Sequence, residues 1–198
     1  MAVLEQYEWS DMWWDEPDKS GSRVLLVGDS ITRAYRQPLK DLAGDDFYID
    51  MFATSRAADN PAYFRELSCM LSNGLSYKII HLNNGLHGFH QTIEIYAKHY
   101  EELVNFFLTR PGNAKLILTL STPVTIPGTP EQYGEKNNIV LERNEAVRCL
   151  AGKYSLPLDD LYTAADNNKD AKSDDGIHFT AEGNRLLARQ VLQALLPH

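Results

Sequence analysis

From Arg23 onward, short apolar runs alternate with stretches of helical periodicity, and a chain written in that order has few ways to fold other than as a parallel sheet between helices. The first run, Val24-Leu25-Leu26-Val27, closes on Gly28 and reads as a buried parallel strand. Ser30 to Leu42 then reads as helix and Phe47 to Phe52 as strand. Pro61 to Leu71 carries Pro in its first turn and reads as helix, and Tyr77 to Leu82 is the third strand. Ile93, Tyr96, Ala97, Tyr100, Leu103, Val104 and Phe107 recur at the three-and-four spacing of one helix face. Lys115 to Leu120, Asn138 to Lys153, Leu156 to Asp159 and Ala181 to Leu196 continue the alternation as strand, helix, strand and helix. The expected architecture is α/β, with about five parallel strands and helices on both faces. In such sheets, ligands bind beyond the carboxyl ends of the strands, so the chemistry is sought just after each apolar run.

Residues 1 to 22 differ from the rest. They hold all three tryptophans, Trp9, Trp13 and Trp14, with six acids and one base, and contribute −5 of the net charge of −8. This segment reads as an acidic arm, packed on its own domain as a strap, used in a homodimer or offering a sugar-stacking surface, and residues 23 to 198 read as the catalytic domain. The remainder of the chain carries only −3. An acidic balance opposes wrapping of nucleic acid or docking on an anionic membrane, and no apolar run approaches the roughly 18 residues that a spanning helix needs. Met1 to Ser10 lacks a basic-then-apolar leader, so a cytoplasmic location is expected. Cys69 and Cys149 match neither a disulfide framework nor a metal motif, and are expected to be buried, reduced residues.

Three strand ends carry candidate chemistry. Gly28-Asp29-Ser30-Ile31-Thr32 sets a hydroxyl at a strand-to-helix turn, where unpaired N–H groups would stabilise an oxyanion formed at Ser30; a serine there can equally just cap the helix. Chance predicts about 0.05 Gly-Asp-Ser triplets in such a chain. After the third strand, Asn83-Asn84-Gly85 offers amides that can donate to negative charge or simply shape a turn. Asp175 and His178, just before the last helix, have the types needed for a general base and its orienting acceptor, with Asp174 an alternative acid.

Together, Val27-Gly28-Asp29-Ser30-Ile31-Thr32, the Asn-bearing strand end and Asp175-x-x-His178 resemble the SGNH hydrolases, also called the GDSL esterase/lipase family. The resemblance spans about Arg23 to Leu196. It implies a flavodoxin-like three-layer α/β/α sandwich, with Ser30 as nucleophile, His178 as base and Asp175 as its orienting acid. The activity implied is serine-dependent ester hydrolysis without a cofactor, and the polar setting suggests a short acyl group, acetyl, on a polar alcohol such as a sugar or oligosaccharide. Acyl transfer, thioester or lipid ester hydrolysis use the same residues, and a non-catalytic carbohydrate-binding or scaffold protein could be built on the same fold.

Two places depart from the family pattern. His81-Leu82-Asn83-Asn84-Gly85 stands where Gly-x-Asn-Asp is usual, and the match to an Asn-Asp-Gly-Leu run puts Asn83 on the oxyanion-donor position, with Asn84 as the alternative. The glycine N–H expected after the second strand is missing from Phe52 to Ala57, so the backbone of Ser55 takes its place, beside the N–H of Ser30. Asp29, Arg56, Asn84, His87 and Tyr133 are the candidates to line the substrate site, although Asp29 can fix its own turn and Arg56 can pair with a carboxylate at a helix start. His81, His87 and His90 have no carboxylate or thiolate at ligand spacing, and no metal is expected. Ser121 to Asn137, rich in Pro and Gly, reads as a structureless wall or lid on the catalytic edge, with Tyr133 as a sugar-stacking residue.

Overall fold

The computed structural model describes residues 3, 4 and 6–196; Met1, Ala2 and Glu5 of the arm lie outside the described residues, as do Pro197 and His198. Among the described residues, eight strands and six α-helices follow in the order β1 (Ser10–Trp13), β2 (Arg23–Gly28), α1 (Ser30–Ala43), β3 (Tyr48–Thr54), α2 (Pro61–Leu71), β4 (Ile79–Leu82), α3 (Ile93–Leu108), β5 (Lys115–Thr119), β6 (Thr125–Ile126), β7 (Thr129–Tyr133), α4 (Lys136–Tyr154), β8 (Leu158–Asp159), α5 (Leu161–Asp166) and α6 (Ala181–Leu195). The main sheet runs β1-β3-β2-β4-β5-β8, parallel except for β1, so its five parallel strands have the flavodoxin-like order 2-1-3-4-5.

Alternation along β2 explains the layers. All six of its residues are buried. Val24 and Leu26 face one side, where they join Ile31, Tyr35 and Leu39 of α1 and Leu187 and Val191 of α6. Leu25 and Val27 face the other, against Tyr63 and Leu67 of α2, Tyr100 and Leu103 of α3 and Val147 of α4. A strand apolar on both faces can only sit centrally, and each such side chain contributes about 1.5–3 kcal/mol on burial. Helix starts follow the sequence signals: the side chains of Asp29, Asn60, Thr92 and Thr180 accept N–H bonds at the N-termini of α1, α2, α3 and α6.

The sheet has one strand more than the five expected, and the arm supplies it. Ser10 to Trp13 pairs antiparallel with β3, Ser10 opposite Thr54 and Trp13 opposite Met51. Bases on α1 and β2 hold the arm: Arg33 stacks on Trp9, Arg36 on Trp13, Lys40 pairs with Asp15 at 3.2 Å, and Arg23 donates to the carbonyls of Asp15, Glu16 and Lys19.

Two other expectations are corrected, and one short helix is added. The segment after β5 is not structureless: β6 and β7 form a hairpin around Pro127-Gly128, with Gly128 at φ +71°. A short helix, α5, follows β8. Cys69 and Cys149 are free but exposed, because α2 and α4 turn them to solvent and fill the core with Leu67, Met70, Val147 and Leu150. Among the described residues, no helix is long and apolar enough to cross a membrane.

Candidate active site

Ser30 opens α1 directly beyond the carboxyl end of β2. Asp29 is buried and caps the helix through Oδ1, which accepts the N–H of Ile31 at 2.9 Å, so its carboxylate fixes the turn that presents Ser30. Ser30 Oγ lies 2.8 Å from His178 Nε2, and Asp175 Oδ2 lies 2.6 Å from His178 Nδ1. Residues 148 positions apart are thus joined in one hydrogen-bonded chain.

Asp175 and His178 stand on a tight loop closed by the antiparallel bridge Lys172–Phe179, with Ser173 N–H donating to the carbonyl of His178 at 3.0 Å. Asp175 organises this loop. Its Oδ1 accepts from Ser173 Oγ at 3.0 Å and from the N–H groups of Ile177 and His178, each at 2.8 Å, leaving Oδ2 for the imidazole. Partial burial would push the Asp175 carboxyl upward, but these four hydrogen bonds, that from His178 foremost, hold it well below the usual carboxylate range. An ionised Asp175 therefore faces Nδ1 at neutral pH, which places the proton on Nδ1 and turns the Nε2 lone pair toward Ser30. The arrangement can remove a proton from a hydroxyl as it attacks a carbonyl carbon, and stabilise the imidazolium that results. The pair is open to solvent: the His178 side chain is 43% exposed and that of Asp175 50%.

The remaining expected residues are distributed differently. The Ser55 N–H donates to the carbonyl of Trp9 at 3.1 Å, and Ser55 Oγ accepts the Trp9 N–H at 2.9 Å, because the arm strand extends the ladder past the end of β3. The Asn83 amide donates to Thr119 O at 2.9 Å and to Ser121 Oγ at 3.2 Å. Asn84 Nδ2 donates to the carbonyl of Arg56 at 3.0 Å, tying the loops after β3 and β4 together and using one of its two N–H bonds. Arg56 is an ion-pair hub, held by Glu8 and by Glu66, the latter at 3.1 Å, so its charge is matched on the protein itself. The carbonyl of His87 accepts from Arg143. Tyr133 turns to α5, donating to Asp166 Oδ1 at 2.6 Å beneath the ammonium of Lys169. Beside Asn83, a space of about 10 Å³ lined by Ile31, Thr32, Leu86 and Ser121 has room for roughly one water-sized group.

Four supporting residues escape a reading of the sequence. Buried Arg143 donates to the carbonyls of Gly85, His87 and Gly88, shaping the loop that carries Asn83 and Asn84. His81, one of the three clustered histidines, is fully buried and pairs with Asp159 at 2.8 Å, while His90 pairs with Asp59. Gly176 has φ +73°, and a Cβ there would lie 2.3 Å from Thr125 O, so only glycine lets the hairpin approach the Asp175–His178 loop. Lys172 is buried beneath that loop. The Asp-Gly pair at 175 and 176 hints at the turn; nothing in the sequence marks Arg143, Lys172 or the His81–Asp159 pair, which bridges strands 78 positions apart.

No curated protein matches the chain. Solved structures do. An acetyl xylan esterase superposes at TM-score 0.71 and 18% identity over 88% of this chain and 100% of its own. A carbohydrate acetylesterase from Sinorhizobium meliloti gives 0.68 at 20% over 88% and 100%. A GDSL-like lipase from Bacteroides thetaiotaomicron gives 0.67 at 18% over 87% of each. At such identities these likenesses establish the fold. The sequence profile of the GDSL-like lipase/acylhydrolase family matches residues 82–186, which take in Asn83, Asp175 and His178. With the fold and more than half of the chain in agreement, this protein belongs to the GDSL-like lipase/acylhydrolase family of ester hydrolases.

Proposed function

We propose that the chain is a serine esterase that removes short acyl groups, acetyl foremost, from a polar alcohol, a carbohydrate. The observation that carries this reading is the unbroken relay Ser30 Oγ–His178 Nε2 and Nδ1–Asp175 Oδ2, at 2.8 and 2.6 Å. His178 takes the proton of Ser30 as Oγ adds to the ester carbonyl, and Asp175 remains ionised to hold the imidazolium. The tetrahedral intermediate then expels the alcohol, which leaves with the proton from Nε2. Water, activated by the same His178, releases the carboxylate from Ser30. The developing oxyanion meets the N–H of Ser30 at the start of α1 and one amide of the Asn83–Asn84 pair. Asn84 is the better placed by its free valence, since the hydrogen bond to Arg56 O occupies one N–H while both of those of Asn83 are engaged.

Substrate class rests on two supports. The exposed His178 and Asp175 leave room for a bulky polar leaving group. Relatives in fold include an acetyl xylan esterase and a carbohydrate acetylesterase.

A fluorophosphonate should label Ser30 in the folded protein, and acetylated sugars and p-nitrophenyl acetate should be hydrolysed while chains beyond about eight carbons are not. Ser30→Ala should lose at least about a thousandfold in rate. Near-normal turnover by Ser30→Ala, or preference for the long chains, would refute the reading. Asn84→Ala should lower kcat more than Asn83→Ala.

A further inference from the structure

Beneath the triad loop lies a lysine for which the hydrolytic steps have no use. Lys172 is 6% exposed, although its side chain ends in an amine. Nζ donates to two backbone carbonyls, that of Pro123 at 2.5 Å and that of Ile177 at 2.8 Å, and lies over the ring of Phe179 at 4.1 Å. The first carbonyl belongs to the segment that leads from β5 into the β6–β7 hairpin; the second immediately precedes His178. Three further bonds run between the same two segments: Thr125 N–H and Thr125 Oγ1 to Gly176 O, at 2.9 and 3.3 Å, and Gly128 N–H to Asp174 O at 2.9 Å.

We propose that Lys172 is a positioning residue for catalysis, its amine fastening the Asp175–His178 loop to the hairpin wall so that Nε2 stays within reach of Ser30. This rests on the serine-esterase reading above for its consequence in rate, but not for its geometry. Burying an amine is costly, and a chain that needed only to fill this space could use Met or Leu. A backbone carbonyl, in contrast, accepts only from a donor. Two carbonyls face one another across the gap between loops, and neither can bond the other; a single Nζ satisfies both. Burial pushes the Lys172 ammonium down to about 7, with Asp175 the charged group opposing the shift. Both protonation states retain the two N–H bonds required, so the fastening outlasts deprotonation.

The consequence is a link between hairpin and base, which runs through Nζ to the carbonyl of Ile177, one residue from the imidazole.

The test compares Lys172→Met and Lys172→Arg with the parent protein by two readouts. One is the far-downfield proton resonance of His178 Nδ1–H, which reports the Asp175–His178 geometry whether or not the protein hydrolyses anything. The other is kcat and KM on p-nitrophenyl acetate. Lys172→Met should keep its circular dichroism, shift or broaden the His178 resonance, and lose tenfold or more in kcat with KM within about threefold. Lys172→Arg, which can still donate to both carbonyls, should recover most of the rate. An unchanged His178 resonance in folded Lys172→Met overturns the proposal whatever the rate does, and so does a kcat within twofold of the parent. Should Lys172→Met not fold, Lys172→Gln, whose amide reaches one carbonyl, is judged by the same two limits. Absence of ester turnover and of fluorophosphonate labelling in the parent would instead overturn the esterase reading, leaving the resonance to decide the role of Lys172.

Discussion

Replacing Asp175 with Asn tests whether the proton on the imidazole is in the right place. In the parent, Oδ1 accepts three bonds, from Ser173 Oγ and the N–H groups of Ile177 and His178, and Oδ2 accepts one, from His178 Nδ1. An Asn amide must keep its oxygen at the three-donor position, because its NH2 would there face donors. The NH2 is thereby aimed at Nδ1 and forces that nitrogen to accept. The proton moves to Nε2, which now donates toward Ser30 and can no longer take its proton. Reversing a charge-assisted hydrogen bond costs about 3 kcal/mol, and losing the carboxylate beside the imidazolium costs about 1–2 kcal/mol more once discounted for a half-exposed pair. The sum, about 4–5 kcal/mol, corresponds to a fall in kcat of roughly 10³–10⁴. Stopped-flow or steady-state hydrolysis of p-nitrophenyl acetate at neutral pH measures it, with fluorophosphonate labelling of Ser30 slowing in parallel. The loop keeps its three bonds, so the melting temperature should move by only a few degrees. A folded Asp175→Asn protein within tenfold of the parent rate would refute the tautomer argument.

Two other outcomes follow from the loop beneath it. Gly176→Ala places a methyl 2.3 Å from Thr125 O at a φ of +73°, so the hairpin must move; a loss of about 2–3 kcal/mol, read as a melting temperature roughly 4–12 °C lower, should accompany a fall in kcat. Lys172 makes stability depend on pH in a definite sense. Its pKa of about 7 in the folded chain lies below the ordinary 10.5, so in the window between them the unfolded state binds the extra proton and stability rises with pH; below 7 the cost of burying the charge is fully present, and above 10.5 it is gone. Chemical denaturation at pH 7 and pH 9 should show the parent gaining roughly 2–3 kcal/mol relative to Lys172→Met across that interval, and equal slopes for the two proteins would count against it.

Most of the layered fold is legible because it is written locally. Val24 to Val27 is apolar on both faces and sits at the centre of the sheet, Pro61 and Thr180 stand at helix starts, and α3 follows its stripe from Tyr96 to Phe107. The Ser30, Asp175 and His178 positions are legible for a related reason, since a ligand edge needs chemistry only where strands end. What is not legible depends on distant partners. Ser10 to Trp13 has no apolar alternation and becomes a strand because β3 offers it an edge. That pairing, invisible in Phe52 to Ala57, is what engages the Ser55 N–H. Pro127, Gly128 and Pro130 suggest an irregular loop, yet the same residues make a hairpin once the Asp175–His178 loop supplies carbonyl acceptors. A lone Arg143 or Lys172 reads as a solvated base; only the carbonyls gathered around each reveal a buried one.

The arm strand also bears on how the protein avoids its own copies. Without β1, the outer edge of β3 would present a row of unpaired N–H and C=O groups along Tyr48 to Thr54, an open template for another chain. With β1 in place, the outermost strand is four residues long, carries Ser10 and Asp11, and ends in an exposed Trp13 under the guanidinium of Arg36, a poor surface on which to add a further strand. Pairing with β1 therefore removes the β3 edge from edge-to-edge addition. During synthesis β1 emerges first, but it has nothing to cover until β3, some forty residues later, has left the ribosome and paired with β2.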